Sequence, residues 1–281
     1  YQDEYRQISD HFQARRGRYF VSQNGKARKP AVDVLHEEGM FASRVLGAGM
    51  LAGVSSPARP WLKITTPDSN LNQFKSVRAW LDIAEARIYQ MFGGSNYYHV
   101  KQQSFRDMGD FGQGPVIMDE DFEDAINCYC SPVGEYLMAV DHRGVVDTLY
   151  RDMQKTALQI VAKFGLQACP REVQDAYARG DYATPFDITH VCEPNIYRVD
   201  GELGPRGMPY MNAYYCPGVS TAGGNDIIQV RGYNENPISA PRWEVQPNDV
   251  YGHGCGTLAL KACKSLQSLE KRNGQIVDKL A

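Results

Sequence analysis

Apolar side chains recur at helical spacing from the first residues of the chain. Tyr5, Ile8 and Phe12 lie three and four apart, which predicts a helix over residues 2 to 14. A basic turn, Arg15-Arg16-Gly17-Arg18, and a polar stretch through Lys29 and Pro30 follow. Residues 31 to 52 then read as a second helix carrying Leu35, Phe41, Val45, Leu46 and Met50. Its small residues Ala42, Gly47, Ala48, Gly49 and Gly53 lower helix propensity but let another backbone come close, so this helix is expected to be tightly packed. The run Ser55-Ser56-Pro57-Ala58-Arg59-Pro60-Trp61 breaks the pattern, because neither proline has an N–H and each pushes its predecessor to extended geometry. Leu62 to Thr66 is then expected as a short strand. Phe74, Val77, Leu81, Ala84, Ile88 and Met91 predict a helix over 70 to 92 that stops at Gly93-Gly94. Tyr97, Val100, Phe105 and Met108 predict another over 96 to 109.

From Gly114 the period changes. Pro115–Met118, Ala125–Tyr129, Glu135–Val140 and Val145–Tyr150 read as the strands of a meander, the last two joined by the turn Asp141-His142-Arg143-Gly144. Helical spacing returns over Gln154–Phe164, closed by Gly165, and a helix over Arg171–Ala178 follows Pro170. Residues 181 to 248 are rich in Gly and Pro, with strands expected at Asp187–Cys192, Met208–Tyr215, Ile227–Gly232 and Arg242–Val245. From about Gly256 the chain is helical to its end. Ala262, Leu266, Leu269, Asn273, Ile276 and Leu280 alternate four and three apart, a coiled-coil-like seam with one polar position. The pattern reaches Ala281 with no capping residue and the chain begins without Met, so a piece of a longer chain is expected. The fold class that results is α+β: a helical N-terminal part, antiparallel β-rich patches and a long C-terminal helix. No internal repeat is present, which excludes a solenoid.

Composition adds little to the fold and more to function. Of 281 residues, 43% are hydrophobic and 22% charged, ordinary values for a globular chain. Tyrosines number 17 against 10 phenylalanines, which favours half-buried rings in protein contacts. The net charge of -3 argues against a surface coated for gripping nucleic acid, but not against DNA passing by. No apolar run approaches a membrane helix, and the polar opening segment has no signal-peptide core. Seven scattered cysteines argue against a disulfide framework and for synthesis in a reducing cytoplasm.

Candidate chemistry is sparse. Cys128-x-Cys130 and His190-x-Cys192 place zinc-type ligands on strand faces, but the C-x₂₋₄-C spacing is absent, and buried small hydrophobes with a hydrogen-bonded histidine are the plainer reading. Cys255, two residues after His253 at a helix start, could be an activated thiol, yet no orienting Asn or protease signature accompanies it. Gly252, Gly254 and Gly256 could expose N–H groups to phosphate but lack the P-loop form, so a glycine-rich turn feeding a helix is preferred. The acids Asp119, Glu120, Asp121 and Glu123 read as a solvated loop. No catalytic constellation, metal or cofactor is expected. If the last helix lined a channel, Lys264, Lys271, Arg272 and Lys279 would be sequence-blind phosphate contacts.

Several segments resemble the head-to-tail connecting, or portal, family of short-tailed bacteriophages. ISDHFQARRGRYF (8–20), with Arg16 and Gly17, is similar to the family's opening helix and basic turn. ASRVLGAGMLAGVSSPARPWLKI (42–64) is the most specific match, on Ser56, Pro57, Ala58, Arg59, Pro60 and Trp61. Residues 134–165 resemble the central meander and its helix, with Gly134, Arg151 and Gly165. Residues 231–281 resemble the entry to a long helix, with Pro237, Arg242, Trp243, Tyr251, Gly252 and Gly254. Members commonly have Pro where Cys255 stands, which speaks against a thiol role.

The resemblance implies a structural subunit, not an enzyme. It implies a dodecameric ring at one capsid vertex of the virion, assembled in the host cytoplasm, through which double-stranded DNA passes during packaging and ejection. Implied partners are other copies of the chain, the terminase large subunit, head–tail adaptor and tail proteins, and capsid and scaffolding proteins, with no membrane. It further implies a wing-like region over 1–249 (helical 1–110, β meander 114–151, helices 154–180, β-rich 181–248) and the start of a stem helix, truncated, over 250–281. Two other readings stand beside it: a remnant of a portal gene in a defective prophage, and a thiol hydrolase using Cys255 and His253.

Overall fold

A computed structural model of the chain describes residues 2–14, 34–217, 227–247 and 249–280. The chain is α+β, with seven helices and eight strands in two antiparallel sheets among the described residues. The first helix, α1 (Gln2–Phe12), buries Tyr5, Ile8 and Phe12, the face its spacing predicts. The second, α2 (Glu38–Val54), starts later than expected. Residues 34–37 are irregular because their backbone groups are engaged elsewhere: Gln267 Oε1 accepts from Leu35 N (2.8 Å) and His36 N (3.1 Å), and Gln267 Nε2 donates to His36 O (2.7 Å). The close approach expected of the small residues holds at Gly47, where an added Cβ would lie 2.9 Å from Arg106 Cβ. Gly49 and Gly53 face open space.

The expected strand at 62–66 does not form. Its N–H groups find side chains instead of a neighbouring strand: Tyr89 Oη accepts from Trp61 N and Leu62 N, both at 2.6 Å, and Asn72 Oδ1 accepts from Thr66 N at 3.0 Å. The next helices are α3 (Lys75–Gly94), preceded by a single 3₁₀ turn at Leu71–Gln73, and α4 (Tyr97–Phe111). Gly112 closes α4 in the left-handed region at φ 93°.

The strands are β1 (Val116–Asp121), β2 (Ala125–Cys130), β3 (Tyr136–Val140), β4 (Val146–Thr156), β5 (Pro185–Pro194), β6 (Tyr210–Tyr215), β7 (Ile227–Tyr233) and β8 (Ile238–Ser239). They do not divide where the sequence suggested. One sheet has the order β2-β1-β8 and the other β3-β4-β5-β6-β7, so the stretch 114–151 contributes a hairpin to each sheet. Gln154, Lys155 and Thr156, expected in a helix, extend β4 against Asp187, Phe186 and Pro185. The helix α5 (Ala157–Phe164) begins only after them, at a capping box in which Thr156 and Gln159 satisfy each other's backbone N–H. The expected strand at 242–245 is reduced to isolated bridges, Gln113 with Arg242 and Glu244 with His253. The helix α6 (Arg171–Ala178) forms as expected, and α7 (Cys255–Leu280) completes the chain.

Two larger apolar cores form among the described residues, beside a small cluster of Val100, Val116 and Cys128. One gathers Ile8, Phe111, Ile117, Val133, Leu149 and Ile238, where α1, α4 and α7 meet both sheets. The other gathers Ile160, Val173, Ile188 and Ile228 under α5 and α6. A polar row crosses the larger sheet between them: Tyr136 pairs with Arg151, Arg151 with His190, and His190 with Tyr214. Directly paired residues of antiparallel strands project to the same face, so these four side chains form one line. None of the described helices is long and apolar enough to cross a membrane.

Candidate functional site

The glycine-rich turn before α7 is a backbone-on-backbone joint. A Cβ at Gly252 would lie 2.3 Å from Gly112 O, one at Gly254 2.5 Å from Gly109 O, and one at Gly256 2.2 Å from Asp110 O. The end of α4 therefore covers the face that a phosphate cradle would need. Around this contact Trp243 N donates to Gly112 O (2.8 Å) and Gly114 N to Pro241 O (3.2 Å). Arg242 reaches Val250 O with Nη1 (3.1 Å) and Gly144 O with Nη2 (2.5 Å). The Tyr251 hydroxyl accepts from Met138 N at 3.1 Å, which ties the turn to the larger sheet. His253 directs Nε2 to Asp249 Oδ2 at 3.5 Å, and Cys255 is half-buried and in no disulfide.

Beneath the joint, α1, α2 and α4 share a polar knot. Asp110 Oδ2 accepts from Gln13 Nε2 (2.7 Å) and Ser43 Oγ (2.6 Å), and Ser43 Oγ accepts from Arg106 Nε (2.8 Å). Burial pushes the Asp110 carboxyl above its ordinary range, against the opposing pull of Ser43, Gln13 and Arg106. A second structured site surrounds the Ser-Pro-Ala-Arg-Pro-Trp segment. Trp61 stacks on Phe92 (5.9 Å between centroids) and Tyr97 (6.2 Å), meets Tyr89 edge-on, and donates Nε1–H to Tyr98 Oη. Arg59 Nη2 donates to Ala52 O at 2.8 Å, satisfying a carbonyl at the end of α2, while Ser56, Pro57, Ala58 and Pro60 shape the turn between.

The zinc-type residues lie apart in the fold, Cys128 and Cys130 on β2 and His190 and Cys192 on β5. The described residues bring no three His, Cys, Asp or Glu side chains together to hold a metal. His190 Nε2 instead meets Asn212 Oδ1 at 2.5 Å, and its ring stacks on Tyr214. Burial, reinforced by the Arg151 charge, holds its pKa down at about 2.

A sequence profile of the bacteriophage head to tail connecting proteins matches residues 1–281. The chain belongs to that family. It is similar to the portal protein of Salmonella phage epsilon15, 34% identical over 273 residues, which are 97% of this chain and 49% of that protein. It is also similar to the probable portal protein of Bordetella phage BPP-1, 32% identical over 274 residues, or 98% and 49% of the two chains. The chain thus spans about half the length of the curated relatives it matches.

The positions that carried the head-to-tail connector resemblance fall in distinct places. Arg242, Trp243, Tyr251, Gly252 and Gly254 converge on the α4–α7 joint. Gly134 (φ 97°) and Gly165 (φ 81°) occupy the left-handed region at turns. Arg151 is buried and lies over the Tyr129 ring at 4.1 Å, bridging the two sheets. Pro237 precedes β8, beside Asn236, whose Nδ2 donates to Val146 O. Arg16 and Gly17 lie outside the described residues. On α7, Lys264 bonds Gln7 of α1, while Lys271, Arg272 and Lys279 are exposed on a stretch with no buried residue. Sequence reasoning missed Gly112, Gly114 and Gln113. Gly112 and Gly114 carry a readable signal, glycines just past a helix end, but the partner of Gly112, Gly252, lies more than a hundred residues away, while Gly114 packs on Ser104 of α4.

Proposed function

We propose that this chain is part of a subunit of the portal ring at a capsid vertex. In that role it forms the channel wall for genome packaging and ejection and a platform for the terminase large subunit, adaptor and tail proteins. The observation that carries this reading is the family match along the whole chain, with two similar proteins named as portal proteins. The α7 surface supports it. Leu269, Ile276, Val277 and Leu280 are 55–82% exposed along the helix, apolar positions suited to cover by neighbouring copies. A closed ring joins unlike faces of one subunit, and the exposed Phe41 on α2 and Trp80 on α3 are apolar positions available to such contacts.

In this reading residues 1–249 correspond to a wing-like region and 250–281 to the start of a stem. Lys264, Lys271, Arg272 and Lys279 give weak, sequence-blind contacts to passing double-stranded DNA. The role is one of assembly and passage, with no chemical step. The test is negative-stain electron microscopy of the full-length protein, expressed without other phage proteins. Ring-shaped top views with a central hole and about twelvefold symmetry are expected. Small monodisperse particles at every protein and salt concentration would refute the assignment.

A further inference from the structure

The loop between β5 and β6, residues 195–209, is bonded to itself along its length. Asn195 stands at its root. Its N–H donates to Pro209 O (2.8 Å), and its Nδ2 donates to Pro205 O (3.3 Å) and Met208 O (3.0 Å). Val199 N donates across the loop to Arg206 O (2.9 Å), and a Cβ at Gly207 would lie 1.8 Å from Glu202 O, so the two limbs meet backbone to backbone. From this frame Ile196, Tyr197, Val199 and Leu203 stand out, 82%, 80%, 50% and 96% exposed. Four large side chains open to that degree present on the order of 500 Å², over half of the roughly 800 Å² per partner that a stable interface covers. The loop's charges cancel: Arg198 lies 3.2 Å from Asp200, and Arg206 3.9 Å from Glu202. A neutral apolar loop offers nothing to DNA phosphates and has the character of the contacts that permanent homo-oligomers make.

A surface of matching character lies on α3. Trp80 and Ile83, 67% and 55% exposed, stand three apart on one helix face, with the exposed small residues Ala79 and Ala86 beside them. The exposed charges flanking this stripe, Asp82 and Arg87, are of opposite sign. Tryptophan is enriched where interfaces concentrate their binding energy. Loop and stripe are both open in the single chain, so neither covers the other within it. We propose that the 195–209 loop is a subunit contact, seated on α3 of a second copy of this chain. The proposal rests on the portal-ring reading and names the two unlike faces that such a ring joins, a rigid loop and a helix stripe. A loop already held in its docking shape loses little conformational freedom on seating.

The test uses the full-length protein carrying the photoreactive residue p-benzoylphenylalanine at position 203. Irradiated rings are expected to give a dimer band on a denaturing gel, with the crosslinked peptide mapping by mass spectrometry to residues 75–94. The variants Leu203→Asp and Trp80→Asp are each expected to raise the protein concentration at which half the subunits are in rings by at least about tenfold, read by mass photometry. A crosslink confined to one chain, a crosslink to another part of the neighbour, no crosslink from intact rings, or unaltered assembly of both folded variants would overturn the contact and leave the portal reading standing. If the unaltered protein forms no rings at any concentration, the portal reading fails and the contact falls with it. Should either variant not fold, the crosslink from position 203 decides.

Discussion

The joint between α4 and α7 makes a sharp prediction at Gly254. In Gly254→Ala the new Cβ would stand 2.5 Å from Gly109 O and 2.6 Å from Gly112 N, whereas ordinary contact begins near 3.4 Å. The two backbones must part by the difference, 3.4 minus 2.5 Å or about 0.9 Å, and no flexible side chain is there to yield. The end of α4 is held by Gly112 N to Met108 O (3.0 Å) and Trp243 N to Gly112 O (2.8 Å), so parting strains or breaks those bonds. Overpacking costs about 1–3 kcal/mol and each lost hydrogen bond about 1 kcal/mol, against a gain of about 0.5 kcal/mol from a stiffer unfolded chain. The net is about 3 kcal/mol, or a fall of about 6–12 °C in Tm for a domain of this size. Gly49→Ala, on the solvent face of α2 with nothing within 4 Å, is the control and should gain about 0.5–1 kcal/mol. Calorimetry or urea unfolding of the full-length protein reads both. A Gly254→Ala variant within about 0.5 kcal/mol of the parent, measured beside a stabilised Gly49→Ala, would refute the joint as described.

Other consequences can be measured alongside. Trp61→Ala removes the centre of the aromatic cluster and should cost about 2–4 kcal/mol and flatten the near-ultraviolet circular dichroism; an unchanged spectrum would contradict the stacking. Arg242→Lys cannot reach Val250 O and Gly144 O together and should cost about 1–2 kcal/mol in urea unfolding, with Arg242→Ala costing more. His190, held neutral with a pKa of about 2, takes up its proton in the unfolded chain near pH 6.5 but not in the folded one. Its contribution is therefore present above pH 6.5 and is lost as pH falls toward 2. Between pH 6.5 and 5 the parent should lose about 2 kcal/mol more than His190→Gln, and parallel stability curves would sink this account.

How much of this was visible in the sequence depends on the range of the interaction. The inward faces of α1 and α4 follow from Tyr5/Ile8/Phe12 and Val100/Phe105/Met108, because a helix sorts its side chains within one or two turns. The extension of β4 to Thr156 was hidden, since Gln154-Lys155-Thr156 has no apolar alternation and is extended by pairing with residues thirty positions on. The start of α2 was misplaced for a related reason: one side chain on α7, Gln267, draws off the backbone of 35 and 36. At the α4–α7 joint the glycines themselves were legible as a turn. Their purpose was not, because Gly109 and Gly112 approach them from another element. The polar row Tyr136–Arg151–His190–Tyr214 draws on four strands and exists only once their register is set.

The asymmetry of α7 has a mechanical meaning. Its first turns are clamped, by Gly256 against Asp110, by Lys264 to Gln7 and by Gln267 to the backbone of 35 and 36, while residues 271–280 stand clear of the body. Residues 271–280 act as a lever on that clamp. A sideways push on the arm is a torque whose fulcrum is the clamp, and the first parts to feel it are α1 and the lead-in to α2.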